Sequence, residues 1–252
     1  MAKGTRLDTA LVDRGLVTSR ERARALILAG QVTVNGRVVS KAGTPVGADA
    51  DLALATPDHP YVGRGGVKLA HALDTFAIDP AGRQALDIGA STGGFTDVLL
   101  QRGAASVLAL DVGKGQLDWR LRNDPRVLVR EGVNARALTA EDVPHTVSLV
   151  TIDVAFISLR LILPALPPFL DRGPRGADIV ALVKPQFEAG REEVGARGLV
   201  LDPAVHEAVL ARVTAAAEAL KLHRVAMTPS AITGATGNQE FFLHLKSEGD
   251  LA

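Results

Sequence analysis

Leu86-Asp87-Ile88-Gly89-Ala90-Ser91-Thr92-Gly93-Gly94-Phe95 is the stretch that decides the fold. A short apolar run carries a carboxylate two residues before a glycine, and a Gly-Gly pair opens the next helical pattern. Gly89 lets the chain turn tightly, and Gly93-Gly94 lets a ligand approach a helix N-terminus with no Cβ in the way. The spacing is G-x-x-x-G-G, not the G-x-G-x-x-G of a pyrophosphate binder. A carboxylate just before the first glycine disfavours a pyrophosphate. It suits an ammonium or a bound water, as the amino-acid end of S-adenosylmethionine would require. Asp111 closes the next apolar run, Ser106–Asp111, and is placed to accept from both hydroxyls of a ribose. Glycine after a first strand is common in any α/β protein, and Asp111 is what weighs against that bland explanation.

Outward from this loop the pattern continues. Apolar runs at 84–88, 106–111, 126–130, 147–153, 178–183, 223–228 and 240–246 alternate with helical periodicity at 94–102, 158–171 and 203–220. Strands alternating with helices predict a Rossmann-like, mainly parallel sheet covered on both faces. Ligands in such sheets bind beyond the carboxyl ends of the strands. Asp153 ends the fourth strand, Lys184 follows the fifth, Glu240 opens the last, and Lys68 lies just before the domain. Each alone reads as a surface charge or a structural ion pair. Together, two lysines and two carboxylates at one edge can hold a hydroxyl, and burial with a second cation nearby would leave one lysine able to act as a base. Phe156, just after Asp153, reads either as core or as one side of an adenine sandwich.

The front of the chain is different. Residues 1–41 carry eight basic side chains against three acidic ones, although the whole chain balances at 28 of each. A cationic head on a neutral body predicts a polyanion partner. With aromatics at only 4%, the grip should rest on phosphates and shape. Two short amphipathic helices are expected at 6–14 and 20–29, the second capped by Thr18 or Ser19, followed by a hairpin at Asn35-Gly36. The Pro- and Gly-rich stretch 55–66 lacks periodicity and reads as a linker. The expected division is a small α+β domain over 1–56, a linker over 57–66 and the sheet domain over 67–252.

The chain has no cysteine. That excludes disulfides, thiolate metal sites and a cysteine nucleophile, and makes a cytoplasmic protein the expectation. No apolar stretch reaches the roughly 20 residues of a membrane span, and the first residues carry no signal-peptide core. His59, His71, His145, His206, His223 and His244 show no metal-ligand spacing and read as structural, so no metal is expected. Gln186–Leu201, with Gly190, Gly195 and Gly198, reads as a plain connection or a lid.

Several motifs together resemble known families. R-L-D-x-x-L-x-x-x-G at Arg6–Gly15, S-R-x-x-A at Ser19–Ala23 and G-x-V-x-V-N-G at Gly30–Gly36 resemble the alpha-L RNA-binding motif. R-G-G-x-K-L (Arg64–Leu69), D-I-G-A-S-T-G-G-F-T-D (Asp87–Asp97), L-R-N-D-P-R-V (Leu121–Val127), F-I-S-L (Phe156–Leu159), L-V-K-P-Q-F-E (Leu182–Glu188) and G-N-Q-E-F-F (Gly237–Phe242) are similar to the TlyA family. That resemblance implies a ribosomal RNA 2′-O-methyltransferase of the heat-shock-methyltransferase type, acting on cytidine in ribosomal RNA or ribosomal subunits, with S-adenosyl-L-methionine as cofactor; a monomer with no membrane partner is expected. It implies a catalytic set of Lys68, Asp153, Lys184 and Glu240, and RNA contacts at Arg6, Arg20 and Lys41, to which Arg64 is added. The cofactor set expected is Asp87, Gly89, Ala90, Ser91, Gly93, Gly94, Phe95, Asp111, Asp153 and Phe156. Two positions depart from the family pattern. Its usual D-L-S-F is Asp153-Val154-Ala155-Phe156 here, and Lys3-Gly4-Thr5 is less basic than in some members. A non-catalytic RNA-binding or ribosome-assembly factor with a vestigial loop is the alternative, and a membrane-lytic haemolysin is disfavoured.

Overall fold

The computed structural model describes residues 4–17, 19–55 and 59–249. The chain divides into two compact units, 1–60 and 61–252.

In the first unit, β1 (Thr5–Arg6) leads directly into α1 (Leu7–Asp13), and α2 (Arg20–Leu28) follows. Ser19 caps α2, its hydroxyl accepting from the Arg22 amide, while Thr18 and Lys3 lie outside the described residues. Next come β2 (Val32–Val34), β3 (Arg37–Val38), β4 (Pro45–Val46) and β5 (Leu52–Leu54). The turn between β2 and β3 places Asn35 and Gly36 both at positive φ, 50° and 74°, as a two-residue hairpin demands. β2 is the middle strand of β3-β2-β5, and β1 pairs antiparallel with β4. Leu7, Leu11, Ala23, Ile27 and Val32 are fully buried and form the core. Arg14 is spent inside the unit: its guanidinium donates to the carbonyls of Gly47, Ala48 and Ala50.

The second unit opens with α3 (Gly65–Phe76), a helix that runs through what composition alone reads as the end of the linker. Gly66 is tolerated there because the Tyr61 ring occupies the space a Cβ would need. Then follow β6 (Gln84–Ile88), α4 (Gly94–Gln101), β7 (Ser106–Asp111), α5 (Trp119–Arg122), β8 (Val127–Glu131) and β9 (Leu149–Ile152). Beyond these lie β10 (Asp178–Val183), α6 (Pro185–Glu188), α7 (Pro203–Glu218), β11 (Leu222–Pro229) and β12 (Phe241–Ser247). The helix expected over 158–171 is three successive 3-10 turns instead, at Leu159–Leu161, Leu163–Ala165 and Pro167–Phe169. Pro164, Pro167 and Pro168 withhold the amides that an α-helix would bond.

The seven strands lie in the order β11-β12-β10-β9-β6-β7-β8, with β12 antiparallel to both neighbours. The chain starts at β6, builds outward through β7 and β8, then returns to β9. A switch point therefore lies between β6 and β9. Alternate residues feed two cores. Leu86, Ile88, Ile179, Ala181 and Val183 face α7 and the 3-10 turns, while Ala85, Val180, Leu182 and Phe242 face α3 and α4.

Candidate active site

Four charged side chains converge on the carboxyl edge of the sheet. Asp153 follows β9 directly, and its amide donates to the Ile88 carbonyl at 2.9 Å, drawing it to the switch point. Lys184 follows β10. Because Val183 pairs with Phe241, the next register positions are Lys184 and Glu240. Lys68 comes from the first turn of α3. The Lys184 ammonium lies 2.6 Å from the Asp153 carboxylate, and the Lys68 ammonium donates to Glu240. Lys68 and Glu240 are both buried, and the desolvation of each is offset by the other. Each lysine is thus matched to a carboxylate, as burial of such charges requires.

Beside this edge lies a cleft of about 520 Å³. Of the expected cofactor residues, Gly89, Ser91, Asp111, Asp153 and Phe156 line it. Asp111 is held rigidly, one oxygen accepting from the Ser91 amide at 2.8 Å and the other from the Gly113 amide at 2.7 Å. Each oxygen keeps a lone pair for a ligand hydroxyl. Gly89 has φ +83°, and a Cβ there would strike the Asp153 carbonyl, so glycine is required for β6 and β9 to approach. Phe156 also sits at positive φ, +64°, with its ring 91% exposed and 5.2 Å from the Phe187 ring. Gln116, Asn134 and Arg136 also line the cleft, from loops that carry no motif.

The other five expected cofactor residues lie outside that wall. Asp87 is fully buried, and both its oxygens are taken by threonine hydroxyls, Thr96 at 2.7 Å and Thr151 at 2.9 Å. Burial pushes its carboxyl up to about 6, with the Asp153 charge adding to the effect and the threonine hydrogen bonds opposing it. It ties β6 to α4 and β9. Phe95 is core, its ring against Phe242. Ala90 is buried. A Cβ on Gly93 would meet Leu117 and Leu121, and one on Gly94 would come within 2.9 Å of the Gly66 amide nitrogen, so both glycines serve packing.

Glu188, at the end of α6, staples the segment after Asp153. Its buried carboxylate accepts from the Ser158 hydroxyl and the Leu159 amide, both at 2.6 Å. Burial raises its carboxyl, with these hydrogen bonds opposing. The rest of 186–201 is tied down as well. Glu193 accepts from Arg212 and from the Gly190 amide, and the buried Asn238 bonds the Gly198 carbonyl and the Val200 amide.

The expected RNA contacts fall in both units. In the first, Arg6 and Arg20 donate to Asp8 and remain half exposed, and Lys41 is exposed on a turn. Arg64, in the second, is exposed, with one guanidinium nitrogen 3.5 Å from the Thr233 carbonyl. Among the described residues no group of three or more His, Asp or Glu is disposed to hold a metal, and no helix is long and apolar enough to cross a membrane.

A mostly parallel sheet with one reversed strand, a switch-point cleft and a Lys-Asp-Lys-Glu edge define a methyltransferase of the FtsJ-like class. The FtsJ-like methyltransferase model matches residues 61–247, and the S4 domain model matches residues 5–52. The chain belongs to the TlyA family of such proteins. It is 49% identical over 253 residues to the 16S/23S rRNA (cytidine-2′-O)-methyltransferase TlyA of Mycobacterium tuberculosis, covering 100% of this chain and 93% of that one. Hemolysin A of Brachyspira hyodysenteriae is 40% identical, covering 95% of this chain and 98% of that one. A solved Streptococcus thermophilus protein carrying a hemolysin name superposes with a TM-score of 0.75 at 42% identity, over 100% of this chain and 92% of that one.

Proposed function

We propose that the protein methylates the ribose 2′-hydroxyl of a cytidine in ribosomal RNA, in the cytoplasm, using S-adenosylmethionine. The observation that carries this reading is the Lys184–Asp153 pair, 2.6 Å apart at the sheet edge and bordering the cleft, with Lys68–Glu240 beside it in register. Two ion pairs gathered beside a cofactor-type cleft support this reading over a non-catalytic RNA binder.

The cleft fits the cofactor by its chemistry. Ile88, Leu110 and Ile162 offer apolar walls for a base, and the fixed Asp111 carboxylate offers acceptors for ribose hydroxyls. When bound there, S-adenosylmethionine supplies an electrophilic methyl group. The protein's own task is the proton. A 2′-hydroxyl is a poor nucleophile until deprotonated, and in its neutral form Lys184 can accept that proton at Nζ. Asp153 holds Nζ at the sheet edge by its charge. Lys68 and Glu240, held by each other and by burial, border the place where the hydroxyl oxygen must lie.

The test uses purified protein, S-adenosylmethionine and ribosomal RNA or subunits from cells lacking it, followed by mapping of 2′-O-methyl groups. One or a few cytidines should become modified, and a Lys184→Ala variant should modify none while still binding both partners. Methyl groups appearing on bases, or none with a donor-binding parent protein, would overturn the proposal.

A further inference from the structure

Among the described residues Asp8 is the most completely buried acid of the first unit, yet its partners stand at the surface. Its carboxylate accepts from Arg6 Nε and Nη2, both at 3.0 Å, from Arg20 Nη2 at 3.3 Å and from Arg24 Nε at 3.1 Å. The side chain of Asp8 is 0% exposed, and those of the three arginines are 51%, 51% and 52% exposed. One carboxylate needs one guanidinium for neutrality. Three leave two positive charges in surplus on one spot, an arrangement that repels itself unless an external anion completes it. Arg20 and Arg24 lie four residues apart on one face of α2, and Arg6 joins them from the start of α1. The Arg6 hydrogen bonds, with those of Arg24 and Arg20, hold the Asp8 carboxyl well below the usual carboxylate range, so it stays charged and keeps its hold on all three. After these contacts Arg20 keeps Nε and Nη1 free of Asp8 as single donors, and Arg24 keeps both Nη groups, an end-on pair that can fork onto two phosphate oxygens.

We propose that Asp8 is a positioning residue that orders Arg6, Arg20 and Arg24 into one array for backbone phosphates of RNA, with Arg24 a contact in its own right. The proposal rests on the reading of the chain as an RNA methyltransferase and names the grip. It inverts the simple effect of charge. Removing a negative charge from a cationic RNA-binding surface should tighten binding if charge count alone mattered.

The test is filter binding of the full chain to purified ribosomal RNA across a salt series. Asp8→Asn should bind about tenfold more weakly than the parent although its net charge is higher by one, since the released guanidiniums lose their common orientation. Arg24→Ala should lower the logarithmic salt slope by about one. Arg24→Lys keeps the charge but not the fork, and should still lose several-fold in affinity. Melting curves establish whether Asp8→Asn is folded at the assay temperature, and if it is not, Arg24→Lys decides alone. Parental affinity in Arg24→Lys, or parental or tighter affinity in folded Asp8→Asn, would overturn the array. A parent protein that binds no ribosomal RNA would instead overturn the reading beneath it.

Discussion

Lys68 and Glu240 separate stability from chemistry. Removing one partner of a buried pair strands the other charge, so Lys68→Met should cost about 3–5 kcal/mol of unfolding free energy. Replacing both, as Lys68→Met with Glu240→Leu, should restore most of that loss, because two apolar side chains of similar volume need no solvent. Turnover should stay abolished in the double variant, and denaturant titration beside a methylation assay checks both halves. Lys184→Arg should likewise leave no turnover at any working pH, since a guanidinium does not give up its proton; near-parental single-turnover rates would move the base elsewhere. Asp87 makes a pH prediction. Its folded-state value, about 6, lies above the ordinary 3.8, so the protonated form is favoured by folding. The stability it contributes is therefore complete below pH ~4 and is lost as pH rises through about 6, a change of roughly 3 kcal/mol. Asp87→Asn should flatten that limb in melting temperatures measured from pH 4 to 7. Asp8 acts in the opposite sense, held low chiefly by its hydrogen bonds with Arg6 against the effect of burial, and loses its contribution only under stronger acid.

At the scale of elements, the loop between β6 and α4 behaves differently from its glycine spacing. The sequence suggests that a side chain at Gly93 would obstruct a ligand. In the fold it would drive into Leu117 and Leu121 at a φ of +98°, so Gly93→Val should lower the melting temperature by several degrees whether or not cofactor is present. Asp111→Ala is the cleaner probe of the cleft, expected to weaken S-adenosylmethionine binding in calorimetry by about tenfold with little change in melting, as it removes one charged hydrogen-bonding group. The seven strands could be read directly, because most are short apolar runs bounded by glycine, proline or charge. Asp153, Lys184 and Glu240 stood out because they flank those runs. Asp8 and Arg24 did not, since the contact between them spans sixteen residues and carries no local pattern. Nor did Gln116 and Asn134, which reach the cleft from irregular loops. The stretch 158–171 looked helical by apolar periodicity, and its prolines prevailed.

At the scale of the whole molecule, the apparent neutrality of the chain conceals a specialised end. Replacing Arg6, Arg20 and Lys41 together by alanine should reduce the logarithmic salt slope of RNA binding by up to about three. It should also destabilise the first unit, because Asp8 would retain Arg24 alone among its arginine partners. An unchanged slope at a temperature where the variant is folded would place the RNA grip elsewhere. The sheet of the second unit carries a consequence for biosynthesis. β12, the seventh strand of the sheet in chain order, inserts between β11 and β10, and it opens beside Glu240. A nascent chain emerging from the ribosome therefore holds Lys68 without its counter-charge, and a slot beside β10, until residues 240–247 have been translated. Messages cut short before that point should yield no partially active enzyme but a species with an open sheet edge, destined for proteolysis or aggregation.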